Sequence, residues 1–196
     1  MIVRWAAVGP VTGDHAFTAL ERERAGRFRF DADRDAYLAA HALVRDCAAE
    51  LLGVPAVGLV LRQRCPDCGR EDHGKPYVEG IDDLHVSLSH TRGFVAAGAS
   101  REAVGVDVEV LADQGVPDEV LAPAERADGP LVRLHRWVLK ESLIKVGAAR
   151  LDGLAGVDLS AVTGVGDFVW RGWDLRTELV AGGSAVLGSA RRAGGT

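Results

Sequence analysis

No apolar run in the sequence approaches the roughly 20 residues that a membrane span requires. A basic surplus is missing too: Lys and Arg total 23 against 28 Asp and Glu, a formal net charge of −5. That balance speaks against generic nucleic-acid binding through a strongly basic surface. The opening "MIVRWAAVGPVTG" lacks the charged start and long apolar middle of a signal peptide. It reads as a first strand, and the expected location is the cytoplasm. Cysteine is scarce, with only Cys47, Cys65 and Cys68. An odd, low count does not suggest a disulfide framework. "CPDCGREDH" (65–73) carries two thiols at metal spacing with His73 nearby. As a zinc site the set is incomplete, since structural zinc usually takes four protein ligands. A tight loop is the alternative reading, and zinc at Cys65 and Cys68 stays open.

The chain has 196 residues, enough for one large domain or two small ones sharing a core. Apolar residues make up 47% and charged residues 26%, an ordinary globular balance. Residues 2–8 read as a strand and "FTALERERAGRFRF" (17–30) as a short charged helix. The clearest helix is "DRDAYLAAHALVRDCAAELLG" (33–53), rich in Ala and Leu and closed by Gly53 and Pro55. Strands follow at 57–64, 84–90 and 94–100, the last two around the turn "TRG". "AVGVDVEV" (103–110) is a further strand. Glycines and prolines over 111–130 indicate a loop or short helices, and "LVRLHRWVLKESLIKVG" (131–147) a second long helix. The rest reads as strands joined by glycine turns, ending in a frayed tail at 191–196. Each half runs from a long helix into strands, with the join near residue 100 and no residue-level repeat. The expected fold is α+β, a duplicated unit divided at 1–100 and 101–190.

Several groups carry chemistry. In "GVDVEV" (105–110), Asp107 and Glu109 alternate with valines, so both carboxylates share one strand face about 7 Å apart. A solvated face would explain them, and so would a bound cation. On the second long helix Trp137, Glu141 and Lys145 lie at i, i+4 and i+8 on one face. A surface Glu–Lys pair is the plain reading, although Trp137 argues that the stripe is partly covered. Together, three carboxylates would suit Mg²⁺, which takes oxygen ligands and keeps waters for a phosphate. Lys145 would then face phosphate oxygens, as phosphoryl transfer needs. "HGKP" (73–76) sets Lys75 between a flexible and a stiff residue. Ser87 and Ser89 share a strand face that ends at His90; they suit a phosphate or form a polar edge. Arg22, Arg24, Arg27 and Arg29 make a charged face, from which one or two could grip a further phosphate.

The ordered set "HGKP", "VSLSHT", "VGVDVE" and "WVLKESLIK" resembles the Sfp-type (surfactin-type) 4′-phosphopantetheinyl transferases. The likeness runs from about residue 20 to 147 and includes the opening "ERERAGRFRFDADRDAYLAAHALVR". It implies a monomer of two pseudo-duplicated halves, each a long helix packed on an antiparallel sheet. The nucleotide side of coenzyme A would belong to the first half and the metal to the second. It also implies a reaction: the phosphopantetheine arm of coenzyme A moves to a serine of an apo acyl or peptidyl carrier protein, releasing 3′,5′-ADP. Asp107, Glu109 and Glu141 then look like the Mg²⁺ set, with Mn²⁺ an alternative ion. Glu141 is also the candidate base for the serine proton, and Lys145 looks like the lysine on the pyrophosphate. Ser89 and His90 resemble nucleotide-phosphate contacts, Gly74, Lys75 and Pro76 the adenine-side loop. Arg24 matches the basic position four before Phe28, also at the nucleotide end.

The sequence departs from the family's pattern in places. The segment between Asp107 and Trp137 is short; "LAPAER" (121–126) survives from it, which leaves carrier docking open. Ala36 stands where many relatives have an arginine, and "KVGAARL" (145–151) lacks the usual Gly-x-Gly-Leu. Fatty-acid, polyketide and nonribosomal-peptide carriers all remain possible partners. Two other readings keep the same residues: a Mg²⁺-dependent phosphohydrolase of CoA-like nucleotides, and a non-catalytic relative that only binds coenzyme A.

Overall fold

A computed structural model describes residues 1–13, 15–111 and 115–193. The chain forms two compact units, Met1–Ala103 and Val104–Thr196. Helices and antiparallel sheets occur in both, an α+β architecture.

In the first unit, β1 (Ile2–Ala7) pairs with β5 (Phe94–Ser100), and β5 pairs with β4 (His85–Thr91). All three run antiparallel; Ala99 faces both Ile2 and Val86 across the ladders. Gly93, at φ 83°, makes the tight β4–β5 turn possible. Between β1 and β4 lie α1 (Ala19–Ala25), α2 (Asp31–Leu52) and a two-stranded ladder of β2 (Leu61–Arg64) with β3 (Lys75–Val78). Helix α2 buries Ala36, Tyr37, Ala40, His41, Val44, Cys47 and Ala48, one stripe at helical spacing. It ends where Gly53 adopts φ 70° and donates its N–H to Ala49. Val44, Cys47 and Ala48 meet Ala97 and Ala99 of β5 and Val86 of β4 in a buried cluster. Alanines on the central strand let the helix lie close.

Some expected bounds differ. The strand read at 57–64 begins only at Leu61, because Ala56–Gly58 forms a 3-10 turn after Pro55. The charged helix read at 17–30 is the shorter α1, so Arg27 and Arg29 lie beyond it. Lys75 and Pro76 begin β3 rather than standing in a loop.

Glu21 ties the first unit together. Its carboxylate accepts from the Thr18 N–H at 2.7 Å while the Glu21 N–H donates to Thr18 Oγ1, a capping box. The same carboxylate lies 2.7 Å from Arg45 Nη2 and 2.7 Å from His41 Nδ1. An ionised carboxylate only accepts, so His41 Nδ1 carries the proton of that bond. Burial alone would raise the Glu21 pKa. The bonds from His41, Arg45 and Thr18 outweigh it and hold Glu21 down, from its ordinary 4.5 to about 2. Burial lowers His41 as well, only partly offset by Glu21.

Both shifts have the same sign for stability. A depressed carboxylate stabilises the fold above its unfolded pKa and loses that contribution as pH falls through the folded value. The difference between 4.5 and about 2 at Glu21 corresponds to about 3 kcal/mol. A histidine that resists protonation when folded also weakens the fold once pH drops below 6.5, its ordinary value. Urea titrations at stepped pH should therefore show stability declining below pH 6.5 and falling further between 4.5 and 2. Glu21→Gln should flatten the lower part of that decline. An unchanged acid profile in the variant would show that Glu21 does not carry it.

The second unit has a four-stranded antiparallel sheet in the order β6 (Val104–Val110), β9 (Ala185–Arg192), β8 (Trp173–Val180), β7 (Gly166–Trp170). Its first strand pairs with its last, as β1 pairs with β5 in the first unit. Helix α3 (Pro130–Lys145) starts with Pro at its first position, where no N–H is needed. It buries Leu134, Val138, Leu139 and Leu143, and with them His135, Arg136 and Lys140. Of the tail expected at 191–196, Arg191 and Arg192 instead belong to β9, opposite Val104 and Trp173. Residues 194–196 lie outside the described part.

Candidate functional site

Gly105, Asp107 and Glu109 occupy one face of β6, and that face looks at α3. A Cβ built on Gly105 would lie 2.1 Å from the Ser142 carbonyl oxygen. Across the ladder Asp107 is opposite Gly188 of β9, where a Cβ would come within 2.8 Å of the Val138 side chain. Helix α3 thus rests on two glycines, and the close approach covers Asp107, which is 4% exposed. Of the two explanations offered for this face, solvent does not apply to Asp107, whose neighbour is the helix. Val104, Val106 and Val108 on the other face are fully buried.

The close approach also brings the end of α3 to Asp107. Lys145 Nζ is 2.7 Å from Asp107 Oδ1 and 2.8 Å from the Val106 carbonyl oxygen. Glu141, one turn earlier and half-buried, feels the same carboxylate. Burial first, then the charge of Asp107, raises its pKa, while Lys145 eases it. Asp107, Glu141 and Lys145 therefore form one electrostatically coupled group in the second unit. Glu109 is half-buried and borders a cleft of about 200 Å³ with Val116, Pro117, Leu134 and Trp137.

The donors are of the type that a hard divalent cation takes, but Asp107, Glu109 and Glu141 are not drawn together as a ready triad. Among the described residues only Cys65, Cys68 and His73 bring three potential ligand atoms within 4.8 Å of one another. The donor atoms of the acidic set are carboxylate oxygens, and a cation would relieve the conflict that burial and Asp107 impose on Glu141. Near Asp107 and Glu141 the structure thus offers a site for positive charge, part of which Lys145 already supplies.

The first unit holds the other residues picked out by sequence. Arg24 on α1 donates from Nη1 to Gln63 Oε1 on β2. Gln63 is the ladder partner of Pro76, so Arg24 and Pro76 come to the same hairpin. Gly74 has φ 103°, and a Cβ there would fall 2.4 Å from Cys65 Cα. Only glycine lets the chain cross the end of β2 this closely and deliver Lys75, which is exposed. On β4, Ser89 is buried opposite Ala96, and His90 is exposed opposite Val95.

Sequence reasoning passed over a buried ionic cluster behind α3. Lys140 and Glu125 are both fully buried, with Nζ 2.7 Å from Oε2. Lys140 also donates to the Val120 and Leu154 carbonyls, at 2.9 and 3.1 Å. Glu125 accepts the N–H groups of Ala122 and Leu159. Arg136 donates to carbonyls of Glu125, Leu159, Ser160 and Val162 and to Asp128. A signal existed: Arg136 and Lys140 sit at i and i+4 beside the apolar Leu139 and Leu143, where a solvated face is not expected.

No protein-family model matches the chain. It is 26% identical over 140 residues to a "4′-phosphopantetheinyl transferase" of Bacillus subtilis, which covers 66% of this chain and 59% of the relative. It is 29% identical over 139 residues to "4′-phosphopantetheinyl transferase psf-1" of Bacillus pumilus, covering 64% of this chain and 55% of that protein. A "phosphopantetheinyl transferase" of a Thraustochytrium species is 37% identical over 91 residues, 45% of this chain and 29% of its own length. The chain thus spans little more than half the length of its Bacillus relatives. By these likenesses the chain is similar, at modest identity, to proteins named 4′-phosphopantetheinyl transferase, Sfp-like ones among them.

Proposed function

We propose that the protein transfers the 4′-phosphopantetheine arm of coenzyme A to a serine of an apo carrier protein. The observation that carries this reading is the coupled group of Asp107, Glu141 and Lys145, held together by the approach of α3 to β6. The kinship with named transferases supports it. In this reading the chain adopts the pseudo-duplicated fold of its relatives. The shared plan of the two units, a long helix and a sheet whose first strand lies beside its last, supports that fold.

Asp107, Glu109 and Glu141 would hold Mg²⁺. When bound, the ion supplies charge neutralisation for the pyrophosphate of coenzyme A. The serine oxygen forms a bond to the phosphorus that carries pantetheine, and the bond from that phosphorus to the 3′,5′-ADP oxygen breaks. Glu141, half-buried one turn before Lys145, is the group that would accept the serine proton, directly or through a water. Lys145, which pairs with Asp107 in this structure, would face the pyrophosphate oxygens and stabilise negative charge developing on the leaving group. Arg24, Gly74, Lys75, Pro76, Ser89 and His90 would receive the nucleotide end, and the protein acts as a monomer on carriers of fatty-acid, polyketide or nonribosomal-peptide synthesis.

The test is a panel of apo carrier domains incubated with coenzyme A and Mg²⁺ and read by intact mass. At least one should gain the phosphopantetheine mass, and a chelator should abolish the gain. No gain on any carrier would overturn the proposal. Release of 3′,5′-ADP without a carrier would point to hydrolysis instead.

A further inference from the structure

We propose that Cys65, Cys68 and His73 form a zinc site that clamps the loop between β2 and β3. Their ligand atoms all lie within 4.8 Å of one another. Tetrahedral zinc with bonds of ~2.0–2.3 Å separates its ligands by roughly 3.3–3.8 Å, so a small rotation of the side chains closes the site. Two thiols and an imidazole favour zinc over the hard cations that oxygen donors select.

The loop builds this arrangement from its backbone. Cys65 accepts the Gly69 N–H at 2.9 Å and donates its own N–H to the Arg70 carbonyl at 2.8 Å. These bonds fold "CPDCGR" into a tight knuckle, with Gly69 at φ 72°. The β2–β3 ladder closes the base at Arg64 and Lys75. Gly74 then presses against Cys65 so closely that His73 is brought back over the thiols. His73 Nε2 is 3.4 Å from Cys68 Sγ.

The histidine is also oriented. Its Nδ1 is 2.7 Å from Asp72 Oδ1, and Arg70 Nε donates to the same oxygen at 3.0 Å. A carboxylate on Nδ1 fixes the tautomer that leaves Nε2 as the ligand, the support that zinc-bound histidines ordinarily have. Cys68 is exposed and Cys65 buried. The fourth position therefore goes to solvent on the Cys68 side. Bound zinc would hold the loop and, through Gly74, the start of β3 at Lys75 and Pro76. The inference does not depend on the transferase reading.

The full chain, purified under reductant, is titrated with Co²⁺. One equivalent should bind with thiolate-to-cobalt charge-transfer absorption and tetrahedral ligand-field bands, and Zn²⁺ should displace it. Cys65→Ser and Cys68→Ser should lose the charge-transfer intensity in steps, and Cys47→Ala should keep it. Asp72→Asn should weaken zinc binding about 10- to 100-fold in competition with a chromophoric chelator. Far-ultraviolet circular dichroism checks that each variant is folded. Absence of the charge-transfer band in the wild type would overturn the site, as would its persistence when both Cys65 and Cys68 are replaced.

Discussion

Glu141→Gln should lower carrier labelling on the order of 10²- to 10⁴-fold, the range expected for loss of a general base, while the protein stays as stable as the wild type or becomes more so. The second half of this expectation comes from the structure. Glu141 is half-buried, and its pKa is raised first by that burial and then by the charge of Asp107. A carboxyl with a raised folded pKa costs stability when it is ionised, so a neutral amide of the same shape removes a penalty at neutral pH. A surface Glu–Lys pair would behave in the opposite way: its loss would weaken the helix slightly and leave activity alone. Labelling rates and urea midpoints measured on one preparation separate the two cases. Full labelling by Glu141→Gln would remove Glu141 from the site. Reduced labelling with a matching drop in stability would mean that its role is structural.

How much of this could be read from the sequence depended on the kind of signal. Helices α2 and α3 are legible from their length and composition, and α2 also from its closing glycine, whereas Pro130, counted with the preceding loop, is the first residue of α3. The shared face of Asp107 and Glu109 followed from the period of a strand alone. What covers that face was not legible. Gly105 and Gly188 are 83 positions apart in the chain, and only the β6–β9 ladder makes them one landing surface for α3. Gly105 in "GVDVEV" did carry a hint, because glycine inside a strand often marks a close approach. The shortness of β2 was hidden for another reason. Residues 57–60 are apolar enough for a strand, but the backbone after Pro55 turns into a 3-10 helix first. Buried charged residues were the least legible. Arg45, Arg136 and Lys140 are fully or almost fully buried because loop carbonyls need donors, and sequence spacing does not say where those carbonyls will be.

Lys140→Met should destabilise the second unit by about 3–5 kcal/mol, because it leaves the fully buried Glu125 carboxylate without its cation. The cost lies in the orphaned charge more than in the strength of the pair. Burial lowers the Lys140 pKa despite the nearby Glu125, so desolvation already weighs against the ion pair. Three acceptors lose a donor at once: Glu125 and the carbonyls of Val120 and Leu154. These carbonyls belong to the segments on either side of α3, so Lys140 fastens both to the helix. Protease cleavage near 116–128 and 151–162 should therefore rise in the variant. Adding Glu125→Gln should recover part of the loss, since the uncompensated charge is gone. Recovery should stay incomplete, because Ala122 and Leu159 donate to different oxygens of the carboxylate, and in the amide one of those two positions becomes an NH2 that only donates. The double variant should thus be less destabilised than the sum of the single ones, a coupling that urea unfolding of all four proteins measures. Additive losses would mean that Lys140 and Glu125 do not act as a pair. Lys140 stands next to Glu141, yet its bonds run to these segments rather than to β6, so labelling per folded molecule should change far less than in Glu141→Gln.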